Sequence, residues 1–163
     1  MKSWSTDQMR GMNVTIESQK DYCNPDITNS EMEKLWALDG TKLNPAALSR
    51  PCGLLAKHFP KDTFKFFNKD TGKTIELSNQ NIAWPGLIGT KFNSVNRSEE
   101  WVNIEDERFI NWMRPNTAKN VYKNWGRFEE DLEAGEYTVT IFNCKSSKIK
   151  KMTFFNFLNF FST

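Results

Sequence analysis

The chain has 163 residues, 26% of them charged, and a formal net charge of +2. A length near 150 residues suits one domain with a sizeable core, since such a domain buries about 70% of its unfolded surface. The nearly balanced charge argues against a nucleic-acid binder, which usually carries a basic excess on one face. No stretch reaches the roughly 18 consecutive apolar residues of a membrane helix, and the polar N-terminus has no apolar signal-peptide core.

The first third of the chain is predicted to be mostly irregular. Residues 1–22 are polar, and residues 24–50 are rich in loop-forming residues. Within the second stretch, Ser30 is a plausible N-cap and Glu33 follows at the spacing of a capping box. This spacing predicts one short helix, ending near Leu38.

A β-hairpin is predicted over residues 63–77. Phe64 and Phe66 alternate with Lys65, and Ile75 and Leu77 alternate in the same way on the return strand, which gives each strand one apolar face. The intervening NKDTG supplies residues that favour a turn.

Two helices are predicted in the C-terminal half, after short strand-like pieces at residues 82–104. The first is Phe109–Met113, which ends before a proline. The second begins at Asn116 as N-cap and carries an apolar stripe at spacings of four, three and four: Val121, Trp125, Phe128 and Leu132. Gly135 ends this helix, and the alternation at residues 137–141 predicts a strand.

Three groups of residues invite a chemical interpretation, and each fits a structural role better. His58 follows Cys52 by six residues, but a Cys–His nucleophile needs a free thiolate and a third, orienting group. Gly72–Thr74 resembles the end of a phosphate-binding loop, but Phe67 stands where that loop needs glycine. The acidic residues at 129–133 lack the spacing of a calcium loop. No catalytic, cofactor-binding or metal-binding residue is therefore assigned.

An ordered series of short motifs covers residues 3–143. The series is DQMRG, RPCG, IAW, FINWMR, WGR and AGEY, of which FINWMR at Phe109–Arg114 is the most specific. In this order the motifs resemble the ligand-effect modulator 3 family, the accessory (beta) subunits of phospholipid-flipping P-type ATPases.

The resemblance implies a single ectodomain over residues 1–143. Its expected fold is mainly β (β-rich α+β), an antiparallel, β-sandwich-like ectodomain with helical insertions and long loops. Family members have one membrane helix before the ectodomain and one after it. This chain has neither, so we expect Met1 to be an internal start or the chain to be a fragment. Residues 144–163 depart from the family, with four lysines before five phenylalanines. They are interpreted as a membrane-surface stretch or as a mis-spliced or frameshifted end.

The resemblance also implies modified residues. Family members pair a cysteine with the one in a P-C-G phrase, which Arg50–Gly53 matches, so a Cys23–Cys52 disulfide is expected. Such a bond needs an oxidising compartment, and two free buried cysteines remain the alternative. Asn13 and Asn96 begin the sequons NVT and NRS, and both are expected to carry N-linked glycans in a lumenal protein.

By the same resemblance, the expected function is that of a non-catalytic accessory subunit. The partner is a flippase-type P-type ATPase, whose folding, exit from the endoplasmic reticulum and phospholipid transport cycle the subunit assists. We expect no enzyme activity, cofactor or nucleic acid. Membrane association runs through the helices missing from this chain, and this portion faces the lumen or the outside of the endoplasmic reticulum, Golgi, plasma membrane or vesicles. Trp101 and Trp112 are expected in the core. The alternatives are a lumenal or secreted β-sandwich module that binds carbohydrate or protein, and a truncated, inactive copy.

Overall fold

The computed structural model describes residue 12, residues 14–114, residues 122–142 and the backbone of residues 143 and 148–154. The chain divides into two compact units. One comprises residues 1–59 and 81–125 and is called the helical unit below. The other comprises residues 60–80 and 126–163 and is called the sheet unit.

The sheet unit contains a four-stranded antiparallel sheet. Its strands are β1 (Thr63–Asn68), β2 (Thr74–Glu76), β3 (Tyr137–Asn143) and β4 (Lys148–Phe154), in the order β2-β1-β3-β4. The predicted hairpin is confirmed as β1 and β2, and the predicted strand as β3. β4 lies within the tail that departs from the family motifs, and it pairs along its whole length with β3.

A buried asparagine and a nearby aspartate fix the turn of the hairpin. The Asn68 side-chain oxygen accepts hydrogen bonds from the backbone N–H groups of Asp70 and Thr71, at 2.9 and 3.1 Å. The Asp70 carboxylate accepts from the backbone N–H of Glu136 at 3.0 Å. The turn between β1 and β2 is thereby tied to the residue that precedes β3.

Aromatic residues form the interior of the sheet unit. Phe66 faces Ile75 on one side and Val139 on the other, and its ring meets that of Phe128 edge to face, with centroids 4.9 Å apart. Tyr137 is 1% exposed, and its hydroxyl donates to the backbone carbonyl of Glu133 at 2.7 Å. The alternation in the sequence therefore places the expected side chains on one face.

The helical unit contains short helices joined by long loops. In chain order they are α1 (Ile16–Cys23), α2 (Leu54–Lys57), a 3₁₀ turn (Pro85–Leu87) and α3 (Glu107–Met113). The prediction of irregular structure over residues 1–22 is wrong for residues 16–22, which form all of α1 except Cys23. Thr15 and Ser18 cap that helix reciprocally, each side chain accepting from the other residue's backbone N–H.

The helix predicted from Ser30 to Leu38 is absent, and turns occupy this stretch. The capping residues are Thr28 and Glu31 instead: Glu31 accepts from the Thr28 N–H at 2.7 Å, and Thr28 accepts from the Glu31 N–H at 3.3 Å. Glu33 has a φ of 58°, the left-handed region that interrupts a right-handed helix. The sequence therefore does contain a capping pair, Thr28 and Glu31, but this pair closes a single turn and not a helix.

The helix at Phe109–Met113 is confirmed as α3, with Asp106 as its N-cap. The prediction of a second helix that begins at Asn116 is wrong for residues 122–136, which contain no helix. Residues 115–121 lie outside the described part of the chain. Trp125 packs against Phe59 within the helical unit, whereas Phe128 packs within the sheet unit. Their helix-like spacing therefore occurs in a stretch without regular helix.

The core of the helical unit gathers side chains from α1, α2, α3 and the loops between them. Phe109 and Ile110 of α3 are fully buried, and the Phe59 ring meets Phe109 edge to face at 5.1 Å. The other large members of this core are Met32, Leu43, Phe92, Trp101, Ile104 and Met113. An antiparallel sheet with a few short helices and long loops confirms the predicted fold class.

Candidate functional site

A disulfide joins the end of α1 to the loop before α2. Cys23 and Cys52 lie 29 residues apart in sequence, with Cα atoms 5.6 Å apart, and are 1% and 0% exposed. Cys52 therefore offers no free thiolate, which removes the nucleophile required by a Cys52–His58 pair. The bond connects the N-terminal helix to the RPCG segment.

A lysine on α2 holds the same region together. The Lys57 ammonium donates to the Asp26 carboxylate at 2.8 Å and to the backbone carbonyl of Glu31 at 2.6 Å. The hydrogen bond to Asp26 raises the pKa of the Lys57 ammonium. Hydrogen bonds from Thr28 hold the pKa of the Glu31 carboxyl below its ordinary value. Both groups are therefore fully charged across the neutral and mildly acidic range.

The two tryptophans expected in the core anchor loops with their indole N–H groups. Trp101, 6% exposed, donates to the backbone carbonyl of Pro51 at 2.7 Å. Trp112 donates to the carbonyl of Leu55 at 2.8 Å, and Lys123 donates to the carbonyls of Trp112 and Arg114 at the end of α3. Burial lowers the pKa of Lys123. These contacts give both tryptophans a structural role.

A buried carboxylate organises the IAW segment. Glu107 at the start of α3 accepts hydrogen bonds from three successive backbone N–H groups: Asn81 at 2.8 Å, Ile82 at 2.6 Å and Ala83 at 2.6 Å. Asn111, one turn further along α3, donates to the Ile82 carbonyl at 3.1 Å. Sequence reasoning missed this role of Glu107, because the partners lie 24 to 26 residues away and form no local pattern.

An exposed tryptophan follows that anchored segment. Trp84 is 68% exposed and begins the segment 84–91, called the Trp84 loop below. Sequence reasoning matched IAW to a family motif but gave no reason to expect the indole at the surface. The signal was the neighbouring Pro-Gly pair, which breaks regular structure after Trp84.

The second sequon lies in a turn. Asn96 is exposed, and its side-chain oxygen accepts hydrogen bonds from the Ser98 hydroxyl at 2.7 Å and the Ser98 N–H at 3.2 Å. Its amide group donates to Glu99 at 3.0 Å. Asn13, the first residue of the other sequon, lies outside the described residues.

The remaining candidates for chemistry occupy structural positions. Gly72–Thr74 lies in the turn and first residue of the return strand of the hairpin, not before a helix. Lys73 pairs with Glu130 of the acidic run at the protein surface. Throughout the part of the chain that the structure describes, no group of three or more acidic, histidine or cysteine side chains is placed to hold a metal ion.

Comparisons with known proteins agree with the motif series. The family model of the LEM3 (ligand-effect modulator 3) family / CDC50 family matches residues 1–155. The chain is also 34% identical over 101 residues to "Putative ALA-interacting subunit 2" of Arabidopsis thaliana. That match covers 53% of this chain and 29% of the relative, so the chain spans less than a third of the relative's length. No solved structure matches the chain.

The described residues thus define a disulfide-linked α+β chain of two compact units. Its motifs follow one family in order, and the family match extends into β4. The chain belongs to the LEM3/CDC50 family, whose members are non-catalytic accessory subunits of P-type ATPases. No helix in the described ranges is both long and apolar enough to cross a bilayer.

Proposed function

We propose that this chain acts as the exoplasmic portion of an accessory subunit of a phospholipid-translocating P-type ATPase. The observation that carries the proposal is the family match over residues 1–155. The relative in Arabidopsis thaliana is named as an interacting subunit, which fits a protein that works by binding another. The covalently joined, tightly packed helical unit suits such a role, because a rigid surface loses little conformational freedom on binding.

The subunit assists its ATPase by binding some conformations more tightly than others. A ligand shifts a conformational equilibrium only by the difference between its affinities for the two states. Preferential binding to the folded ATPase favours its exit from the endoplasmic reticulum. Preferential binding to one intermediate of the transport cycle changes the populations within that cycle. The hydrolysis of ATP and the movement of lipid belong to the ATPase.

The proposed location is the secretory lumen or the outer surface of the cell. A buried Cys23–Cys52 bond suits an oxidising compartment. In that compartment Asn96, exposed at the start of NRS, carries an N-linked glycan, as does Asn13. Endoglycosidase treatment of the secreted chain tests this. Each of Asn96→Gln and Asn13→Gln is expected to remove one glycan, whereas Asn103→Gln, outside any sequon, leaves the mobility unchanged.

Export of the ATPase tests the proposed function. The chain, directed to the secretory lumen, is co-expressed with a phospholipid-transporting P-type ATPase in cells that lack their own accessory subunits. The expected result is more ATPase at the cell surface and faster uptake of fluorescent phospholipid. A calcium-transporting P-type ATPase serves as the matched control and is expected to be unaffected. The proposal fails if surface ATPase does not rise while a full-length family member raises it in parallel.

A further inference from the structure

The Trp84 loop presents one large aromatic side chain on a fixed backbone. Trp84 is the most exposed tryptophan in the described part of the chain, at 68%. Its indole lies against Gly86, since a Cβ placed on that glycine would come within 3.3 Å of the indole nitrogen. The Nε1 and Cδ1 atoms of the ring thus lie close to the Gly86 backbone, and much of the side chain remains open to solvent.

Hydrogen bonds on both sides hold the loop in this shape. Before Trp84, the Glu107 carboxylate binds the three preceding backbone N–H groups. After it, the Leu87 N–H donates to the Trp84 carbonyl at 3.0 Å, and the Thr90 hydroxyl donates to the Gly86 carbonyl at 2.5 Å. Buried Phe92 closes the loop by donating to the Leu87 carbonyl at 2.9 Å. An exposed aromatic on a pre-ordered backbone is the usual form of an energetic anchor in a protein interface.

The chemistry of the loop selects the kind of partner. Residues 84–90 carry no charge, and exposed Lys91 is the one charged residue of the loop. A lipid surface is recognised by clusters of about 4–8 basic residues or by an amphipathic helix, and the loop has neither. A sugar site needs several convergent polar groups. Pro85, Gly86, Leu87 and Ile88 offer no polar side chain, and the Thr90 hydroxyl already donates to Gly86. The uncharged, apolar segment around Trp84 suits an apolar pocket on a protein, and the single charge of Lys91 suits a carboxylate beside that pocket.

We propose that the Trp84 loop is a principal contact of this chain with the exoplasmic surface of its P-type ATPase, where Trp84 fills an apolar pocket and Lys91 meets an acidic residue. This inference rests on the proposed function, and it adds the residues that carry the contact. Glu107 is a positioning residue, which acts by fixing the backbone that presents Trp84.

The test compares two matched pairs of variants. Trp84→Ala and Lys91→Glu alter the proposed contact. Trp36→Ala and Lys42→Glu are the controls, because Trp36 is 60% exposed and pairs with exposed Lys42 across a bridge in a different loop. Each purified chain is titrated against the detergent-purified ATPase, and circular dichroism verifies that each variant is folded.

The expected result is that Trp84→Ala weakens binding about 30-fold, the size typical of an interface anchor. Lys91→Glu is expected to weaken binding about 10-fold, whereas both controls stay within twofold of wild type. Equal affinity of folded Trp84→Ala and wild type overturns the inference and leaves the proposed function intact. Equal losses in all four variants also overturn it. Absence of wild-type binding overturns both.

A separate experiment tests whether the Trp84 loop binds a lipid surface instead of a protein. Wild type and Trp84→Ala are mixed with phosphatidylcholine vesicles containing a fifth phosphatidylserine, and flotation measures the bound fraction. We expect no more than background binding for either chain. Vesicle binding by wild type that Trp84→Ala removes would assign the loop to the membrane and overturn the protein contact.

Discussion

Replacing Glu107 is expected to destabilise the helical unit through the loss of one carboxylate. Glu107 is 9% exposed and accepts three backbone N–H groups, of which that of Ala83 belongs to a buried residue. A hydrogen bond to a charged group contributes roughly 1.5–3 kcal/mol, and a buried donor left without a partner costs about 1–3 kcal/mol. Glu107→Ala is therefore expected to lower the free energy of unfolding by about 3–5 kcal/mol.

The glutamine variant separates charge from shape. Glu107→Gln keeps the size of the side chain and one acceptor oxygen, but it turns an NH₂ group toward at least one backbone N–H. We expect a loss of about 2–3 kcal/mol. Glu105→Gln is the matched control, since the hydrogen bond of Glu105 to the Ser94 N–H, at 3.1 Å, is a single one. That variant should lose about 1 kcal/mol or less.

Urea unfolding followed by tryptophan fluorescence, with the disulfide intact, measures these losses by linear extrapolation. Amide hydrogen exchange adds a local readout, because the N–H groups of residues 81–83 should exchange faster in Glu107→Gln than in Glu105→Gln. A Glu107→Gln protein within about 0.5 kcal/mol of wild type, with unchanged exchange at residues 81–83, would refute the assigned role of Glu107.

Three further predictions concern stability. Replacing Cys23 and Cys52 together with serine should cost about 3.5 kcal/mol, because the bond closes a loop of about 30 residues in the unfolded chain; mass spectrometry under non-reducing conditions should first detect the bond. The folded-state pKa of Glu31 lies below its ordinary 4.5, so its contribution is present above that pH and is lost as the pH falls through the folded pKa. Urea titrations should accordingly show Glu31→Gln less stable than wild type at pH 7, with a difference that shrinks as the pH falls below 4.5. Gly135→Ala should lower the melting temperature, since its Cβ would lie 2.7 Å from the Asp70 carboxylate, and an unchanged melting temperature would contradict this packing.

Local sequence patterns predicted the elements whose stabilising contacts are local or simply periodic. The Phe64–Phe66 alternation and the turn residues were sufficient for the β1–β2 hairpin. The predicted return strand extended to Leu77, whereas β2 ends at Glu76, so Leu77 lies just beyond the strand. FINWM lies within α3, which begins two residues earlier at Glu107 because Asp106 caps it.

The failures have physical causes that a single sequence hides. α1 has a polar sequence and buries only Gln19 and Cys23, so the sequence has no apolar stripe that would predict this helix. Its capping box uses Ser18 where glutamate or glutamine is usual. The spacing of Trp125 and Phe128 matched a helix by coincidence, since each ring packs within a different unit.

The candidate functional residues also differ in whether a local sequence pattern reveals them. The cysteines and sequons were visible as short motifs, whereas the three hydrogen bonds of Glu107 depend on a fold that brings α3 to the IAW segment. The exposure of Trp84 depends on the surrounding core in the same way, since buried Ala83 precedes it and buried Phe92 closes its loop. Long-range contacts of this kind leave no periodic trace in the sequence.

Affinity purification of the tagged wild-type chain from secretory membranes is the most direct test of its binding to a flippase-type P-type ATPase. The bound proteins are identified and quantified by mass spectrometry, with secreted albumin carrying the same tag as the control. We expect a phospholipid-transporting P-type ATPase to be recovered in near-equal amount with the chain and to be absent from the control. Full recovery of folded, disulfide-bonded chain without any such ATPase, or with calcium pumps in equal amount, would contradict it.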